Sequence, residues 1–383
     1  MSWNCPFTSL DTEQRAVLDG LLSATNSQWV RGFAGSGKSV ILIHALGQLR
    51  AIKPDATACV VAFTHSLVDM LKSGLMPNSQ NVPVMTFDRF IKSPFHCDYI
   101  FVDEVQDLKP DVLQGLRQYA GVLFVAGDEE QSIYEERVSP DDIIRLVQPQ
   151  IHSLNVVYRL TEKLKKVVSH ILPGSKVHTA RNGRLQTNVT ITVAKADTAD
   201  LEVGWVWKEA KRFTRTGESA AILIPRHELI QQFIQGICRI NGISPPFIPN
   251  NQWGKPDYGS VNGYFAQNGI ELRFLGNGYG SLEEGELQRT IFLMTYHSAK
   301  GLDFDTVFLP RLDEHTEINR DDALARRLFY VAATRSRRTL SISYSSARPH
   351  ALIQGLPAEL LDKITISAET QTNNEAGNFD DIF

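Results

Sequence analysis

Cysteine is scarce in this 383-residue sequence: Cys5, Cys59, Cys97 and Cys238 stand far apart, with no C-x-x-C pair and no histidine at metal-ligand spacing. That scatter excludes a disulfide framework or structural zinc and predicts buried, reduced thiols. Long apolar runs are also missing. None approaches the roughly 20 residues that span a bilayer, and the start, MSWNCPFTSLDTEQ, lacks a basic region followed by an apolar core. A cytosolic (cytoplasmic) protein with no membrane partner is expected. Nor is there an excess of one charge: a formal net charge of -4 excludes a strongly basic coat, so any hold on a polyanion must come from a local groove.

What is present is an ordinary α/β composition with room for two cores. The apolar runs WVRGF (29–33), ACVVAF (58–63), YIFVDE (99–104) and VLFVAG (122–127) alternate with helical periodicity. That alternation predicts a parallel sheet flanked by helices. A second set starts near Thr187 with VTITVA, then AAILIP (220–225), FLMTYH (292–297) and TLSISY (339–344), predicting a second lobe. Between about Asn241 and Glu286 the chain is rich in Gly, Pro and Asn, which reads as irregular loops or a small insertion. From Glu369 the tail TQTNNEAGNFDDIF is polar, acidic and aperiodic, and is expected to be disordered.

Gly32-Phe-Ala-Gly-Ser-Gly-Lys38-Ser39 fits G-x-x-x-x-G-K-S between a strand and a helix, the context of a phosphate-binding loop. Gly35, Ser36 and Gly37 let the backbone aim N–H groups at phosphate oxygens, Lys38 adds a point charge, and Ser39 is a magnesium ligand. A glycine-rich turn of purely structural use would not need all eight positions. YIFVDEVQD then ends a buried strand with Asp103-Glu104, where Asp103 can hold Mg²⁺ through water and Glu104 can take a proton from an attacking water. The two elements are expected on neighbouring strand ends of one sheet, and together they predict hydrolysis of Mg-ATP.

The order of the remaining motifs resembles the UvrD/Rep group of superfamily 1 helicases over most of the chain. Leu10-Asp-Thr-Glu-Gln14-Arg-Ala16 looks like that group's adenine-reading Q motif. AFTHS (62–66) and TFDRF (86–90) resemble its next segments, in which Phe63 and Thr64 contact a base and a phosphate; taken alone, Phe63 and Phe87 read as core. Asp103-Glu104-Val-Gln106-Asp107 is similar to DE-x-QD, and Gly127-Asp128-Glu-Glu-Gln131-Ser-Ile-Tyr134 to GD-x-x-QSIY. The resemblance implies that Gln131 links the γ-phosphate to the nucleic-acid site and that Tyr134 stacks beside bases. Val157-Tyr158-Arg159 looks like N-Y-R, implying an aromatic on adenine and an arginine on the γ-phosphate from across the cleft, and Arg335 in YVAATR (330–335) resembles a second such arginine. Thr295-Tyr-His297-Ser-Ala-Lys300-Gly301-Leu-Asp303-Phe matches T-x-H-x-x-KGLEF. That match implies Thr295 and His297 near the strand backbone, with Gly301 and Asp303 at the nucleotide, Asp303 near its ribose.

The resemblance implies two RecA-like P-loop domains, residues 1–155 and 156–368, with the ATP site in the cleft between them and a small loop-rich insertion near 241–288. The tail 369–383 follows. It further implies ATP and Mg²⁺ as cofactors and 3′ to 5′ movement on single-stranded or tailed duplex DNA. The alternative is a nucleotide-gated regulatory or binding subunit of a nuclease, repair or defence complex. Val40 stands where many relatives have an arginine over adenine, and Glu136 where a base-stacking tryptophan is frequent. Only about forty residues separate Thr64 from Asp103, too few for the first accessory insertion of that group. The tip Phe379-Asp380-Asp381-Ile382-Phe383 resembles acidic, Phe-ended tips that recruit a nuclease or other protein partner.

Overall fold

The computed structural model describes residues 3–23, 25–134, 136–183, 189–252, 254–282 and 289–368. Its contacts divide the chain into two compact units, the first Met1–Glu162 with Gly174–Gln186 and the second Lys163–Pro173 with Thr187–Phe383. The acidic tail and its Phe379–Phe383 tip lie outside the described residues.

In the first unit, the helix α1 (Thr12–Ser23) leads into β1 (Gln28–Gly32) and α2 (Lys38–Ile52). There follow β2 (Ala58–Ala62), α3 (His65–Ser73), β3 (Val84–Thr86), α4 (Phe87–Lys92), β4 (Cys97–Val102), α5 (Pro110–Tyr119), β5 (Ala120–Gly127), α6 (Pro140–Val147) and β6 (Gln150–Leu154). The strands lie in the order β3-β2-β4-β5-β1-β6, every pair parallel. β2 is buried on both faces, which is why it reads as an unbroken apolar run rather than an alternating one. Val61, Ile100, Leu123 and Val125 pack into one core with Trp29, and full burial of each such aliphatic side chain stabilises by about 1.5–3 kcal/mol.

This order corrects one expectation: β5 lies between β1 and β4, so the phosphate loop and the acidic pair end strands that are not neighbours. β6 was not foreseen because QIHSL is polar and largely exposed, as suits an edge strand.

After β6 come β7 (Val156–Val157), α7 (Glu162–Ile171) and β8 (Arg181–Asn182). β7 and β8 pair in parallel, and this pairing keeps Tyr158 and Arg159 in the first unit, beyond the break expected at 155.

The second unit contains β9 (Thr190–Ala196), α8 (Ala199–Arg215), β10 (Ala220–Ile224), α9 (His227–Ile240), α10 (Tyr258–Gln267) and β11 (Leu272–Phe274). It continues through β12 (Ile291–Thr295), β13 (Phe304–Leu309), α11 (Asp322–Ala333), β14 (Ser336–Tyr344) and β15 (Asp362–Ile366). The strand order is β11-β12-β10-β13-β14-β9-β15, again with parallel pairs.

β13, α10 and β11 escape the sequence reading. β13 is fully buried although it carries Asp305 and Thr306; Ser219 donates to Asp305 Oδ2 from its backbone N (3.0 Å) and its hydroxyl (2.9 Å), and Thr306 Oγ1 donates to Glu218 (3.0 Å). The supposed loop-rich insertion supplies α10 and β11, whose Tyr258, Val261, Phe265 and Phe274 belong to the main core of the unit. Asn262 of α10 donates to Phe274 O (2.9 Å) and accepts from Phe274 N (2.7 Å), so a side chain completes the backbone pairing of the edge strand.

Beyond β13, Arg311 holds φ at 64°, a left-handed conformation unusual for a residue with a Cβ. Its backbone N donates to the carboxylate of fully buried Glu202 (2.7 Å), which also accepts from Ser343 Oγ (2.8 Å). The Arg311 guanidinium lies 3.7 Å from the other carboxylate oxygen. Burial, the largest influence, pushes the Glu202 pKa up.

Candidate nucleotide and nucleic-acid sites

β1 delivers Gly32 to the loop, and α2 begins at Lys38. Gly35 and Gly37 have φ of 74° and 89°, and a Cβ on Gly37 would lie 2.6 Å from Gln14 Nε2. These two positions therefore demand glycine both for conformation and for space. Lys38 Nζ donates to the carbonyls of Gly32 (2.8 Å) and Phe33 (3.2 Å), curling back over the loop. Ser36 is fully buried and its Oγ has no hydrogen-bond partner among the described residues.

Although β5 intervenes, Ser39 Oγ at the start of α2 donates to Asp103 Oδ2 at the end of β4, 2.6 Å away. Burial, then the Glu104 charge, raises the Asp103 pKa. A hydroxyl beside a carboxylate is a hard-oxygen pair that suits Mg²⁺, a cation that takes few protein ligands and shares phosphate and water for the rest. No cluster of three or more His, Cys, Asp or Glu able to hold a metal occurs among the described residues, so no all-protein cage competes with it.

Glu104 is buried with φ at 56°, and Gln106 Nε2 donates to its carboxylate. Gln106 Oε1 accepts from Asp128 N (3.1 Å), and Asp128 Oδ2 accepts from Gln131 Nε2 (2.7 Å). A chain of hydrogen bonds thus runs from Glu104 through Gln106 and Asp128 to Gln131. Gln106 and Asp128 were given no role from sequence; their signal was their place inside the two acidic motifs. A cavity of about 240 Å³ opens alongside, lined by Gly32, Phe33, Asp128, Glu129, Asn155 and Lys176 among others.

Gln14 does two structural jobs. Its Oε1 accepts from Asp11 N (3.2 Å) while Asp11 Oδ1 accepts from Gln14 N (2.7 Å), the reciprocal pattern of a capping box opening α1. Its Nε2 donates to Ser36 O (3.2 Å) in the phosphate loop. The other oxygen of Asp11 accepts from Tyr158 Oη. Glu13 accepts from the backbone N of Asn155 and of Val156 (both 3.0 Å), from Asn155 Nδ2 (3.1 Å) and from Arg181 (3.1 Å). Residues 155–159 therefore form a strap tied to the start of α1; Tyr158 N donates to Gly35 O (2.9 Å), and a Cβ on Gly35 would meet Arg159 Cβ at 2.7 Å. Arg159 thus stands beside the phosphate loop within one unit, a correction to the expectation that it reaches over from the other lobe.

Of the residues expected at nucleic acid, Phe63 packs with Tyr134 (ring centroids 4.4 Å apart) and with Phe87 (5.1 Å). Thr64 caps α3, its Oγ1 accepting from Leu67 N (3.2 Å). Burial, then the charges of Asp107 and Glu104, raises the Tyr134 pKa. In the second unit, Thr295 Oγ1 ends β12, donating to Ser298 Oγ (2.9 Å) and accepting from Ser298 N (3.0 Å). Burial pushes His297 down to about 4, helped by the His227 and Lys300 charges, so its ring is neutral at pH 7.

Gly301 turns at φ 81°, and Asp303 forms an ion pair with Arg337. Arg335 is almost wholly buried; its guanidinium donates to Val331 O (2.8 Å), Leu302 O (3.1 Å) and Thr334 Oγ1 (3.0 Å). Val40 is half-buried, and exposed Glu136 pairs with Lys109. Cys59, Cys97 and Cys238 are buried, Cys5 is half-buried, and all four are free thiols. No helix among the described residues is long and apolar enough to cross a membrane.

A glycine-rich loop between β1 and α2, with a half-buried serine bonded to a buried aspartate at its mouth, defines a P-loop nucleoside triphosphatase lobe. The chain matches the model of the UvrD-like helicase C-terminal domain over residues 272–347, and that of the viral superfamily 1 RNA helicase core domain over 28–203. It is 34% identical over 111 residues to DNA helicase II of Haemophilus influenzae, covering 23% of this chain and 15% of that protein. It is 31% identical over 112 residues to DNA helicase II of Escherichia coli (24% and 16%), and 31% over 103 residues to ATP-dependent DNA helicase PcrA of Staphylococcus epidermidis (22% and 14%). The matched stretches thus span about a sixth of those relatives' length. The arterivirus nonstructural protein 10 helicase superposes with a TM-score of 0.43 at 16% identity, covering 89% of this chain and 64% of that one. These matches, to a UvrD-like helicase domain and to a superfamily 1 helicase core domain, support a UvrD-like superfamily 1 helicase, each model covering less than half of the chain.

Proposed function

We propose that the chain hydrolyses Mg-ATP and couples it to 3′ to 5′ movement on single-stranded or tailed duplex DNA. The observation that carries this reading is the 2.6 Å contact of Ser39 with Asp103, set beside Lys38 and Glu104 in one unit. Lys38 exchanges its two loop carbonyls for phosphate oxygens, and the unpartnered Ser36 hydroxyl and the loop N–H groups join it. Ser39 and Asp103 would hold Mg²⁺, which would supply charge neutralisation at the phosphates. Glu104, oriented by Gln106, takes the proton of the attacking water. Arg159 and Arg335 offset the charge that builds on the transferred phosphoryl group. Gln14 and Tyr158 receive adenine, Gly301 and Asp303 line the nucleotide, and Gln131 relays its state through Asp128. Phe63, Thr64, Tyr134, Thr295 and His297 hold the strand, with aromatic stacking contributing about 1–3 kcal/mol per base.

ATPase rates with single-stranded DNA, duplex and RNA, followed by displacement on 3′- and 5′-tailed duplexes, test the reading. Single strands should stimulate wild type, Lys38→Ala and Glu104→Gln should abolish turnover, and the 3′ tail should be used. Unchanged turnover in Glu104→Gln would sink the catalytic assignment. DNA-stimulated hydrolysis without stepping or displacement would instead favour the nucleotide-gated subunit.

A further inference from the structure

We infer that the turn Gly276–Gly280, with Tyr279 and Asn277 at its tip, is a further contact surface for single-stranded DNA, next to Thr295 and His297. The inference rests on the proposed contact of those two residues with a strand, and extends it to a segment that no motif covers. β11 and β12 are parallel and in register, Phe274 opposite Leu293, so the chain after Phe274 and the chain after Thr295 emerge from the same sheet edge. Leu275 N still donates to Leu293 O (3.0 Å), carrying the pairing past the strand end.

The backbone then reverses tightly: Gly276 and Tyr279 exchange N–H···O bonds of 3.0 and 2.9 Å, with Asn277 and Gly278 at φ 53° and 84°. Two successive left-handed residues of Asn-Gly type make a tight turn whose tip, residues 277 and 278, is exposed. The turn lies directly against the Thr295–Ser298 segment, since a Cβ on Gly276 would lie 2.4 Å from Ser298 Oγ. Ser298 is the residue that Thr295 holds through its hydroxyl.

The floor beside the turn is aromatic. Tyr279 is half-buried and packs edge-on to Tyr258 (6.4 Å), which stacks on Phe274 (3.8 Å) and accepts or donates a hydrogen bond with His227 Nδ1 (3.0 Å). Asn251 Nδ2 donates to Tyr279 Oη (3.3 Å) and so fixes the ring. A half-exposed ring held rigid beside residues that grip a strand backbone is the arrangement on which an unpaired base stacks, and it is tolerant of sequence because every base has a π-face. The exposed Asn277 tip carries no negative charge to repel phosphates.

Fluorescence anisotropy with a labelled oligo-dT tests this. Tyr279→Ala should weaken binding about 5- to 100-fold, while Tyr279→Phe, which keeps the ring, should stay within about twofold of wild type. Asn277→Asp changes an exposed side chain that tolerates this backbone, so it cannot act through unfolding; it should also weaken binding, by a factor that shrinks as salt rises and screens the added charge from the phosphates. Urea midpoints must match wild type for each variant compared. If wild type binds, Thr295→Val weakens binding, and both Tyr279→Ala and Asn277→Asp bind like wild type, the inference is overturned and the proposed function stands. If wild type fails to bind oligo-dT, the proposed function falls and this inference with it.

Discussion

Truncating Glu13 to alanine should loosen the strap over the phosphate loop and lower nucleotide affinity, although residue 13 lies outside every phosphate-contacting segment. Glu13 is mostly buried and accepts from two backbone N–H groups of the strap, at Asn155 and Val156, and from two side chains. A hydrogen bond to a charged group contributes about 1.5–3 kcal/mol, but Asn155 Nδ2 and exposed Arg181 regain water, so the two backbone bonds set the scale. Their loss costs the strap about 3 kcal/mol in local stability. The Tyr158–Asp11 bond and the Tyr158 N–Gly35 O bond persist, so part of the strap stays anchored. If about half of that cost reaches the bound state, the Kd for a fluorescent ATP analogue rises about tenfold. Amide hydrogen exchange at 155 and 156 should quicken by one to two orders of magnitude, on the order of 1.4 kcal/mol per decade. Unchanged exchange at those two amides with an unchanged Kd would refute the strap as a support of the loop.

Three further outcomes follow from buried ionisable groups. Arg335→Ala should slow hydrolysis while leaving nucleotide binding nearly intact; because it also strips donors from the Val331 and Leu302 carbonyls, it should lower the urea midpoint as well, by the equivalent of about 1–3 kcal/mol. A loss confined to nucleotide affinity would contradict its role on the transition state. Glu202→Gln and Arg311→Gly should be non-additive by about 1 kcal/mol or more, since glycine relieves a left-handed φ but strands a buried carboxylate only when Glu202 is charged; additivity within about 0.3 kcal/mol in a double-mutant cycle would show the pair uncoupled. The neutral, buried His297 titrates near 4 when folded and near 6.5 when unfolded, so its stabilisation is complete above pH 6.5 and lost as pH falls toward 4, about 3 kcal/mol in all. Urea melts from pH 7 to 4.5 should show a shallower pH dependence for His297→Gln than for wild type, and parallel curves would refute the assignment.

What could be read in advance depended on whether the cause was local. Strands β1, β2, β4 and β5 and the loop after β1 announce themselves because both faces of a central parallel strand are buried and a phosphate loop needs glycine at fixed offsets. β13 did not, because Asp305 and Thr306 break its apolar run and are satisfied by Ser219 and Glu218, 86 and 88 residues away in sequence. α10 and β11 were hidden for the reverse reason: the Gly- and Asn-rich composition around them belongs to turns, while their own Tyr258, Phe265 and Phe274 fill a core assembled from distant segments. The position of β5 between β1 and β4 is a fact of topology, and no spacing along the chain encodes it. Gln106 was in view within its motif, but its partnership with Asp128 needed two strand ends brought together.

The capping role of Gln14 bears on how the proposed contact with adenine would select a base. Its amide oxygen is engaged by Asp11 and its nitrogen by Ser36, which sets the direction of the amide and leaves one lone pair and one N–H for a base. If adenine binds as proposed, its donor and acceptor meet an amide whose direction the fold has already set. A base with the opposite pattern would pair only if the amide turned over, which would leave the first turn of α1 uncapped and the Ser36 carbonyl bare. On the proposed reading the wrong nucleotide is opposed by the fold itself, and removing the amide, as in Gln14→Ala, would flatten the preference among bases while weakening the helix that carries it.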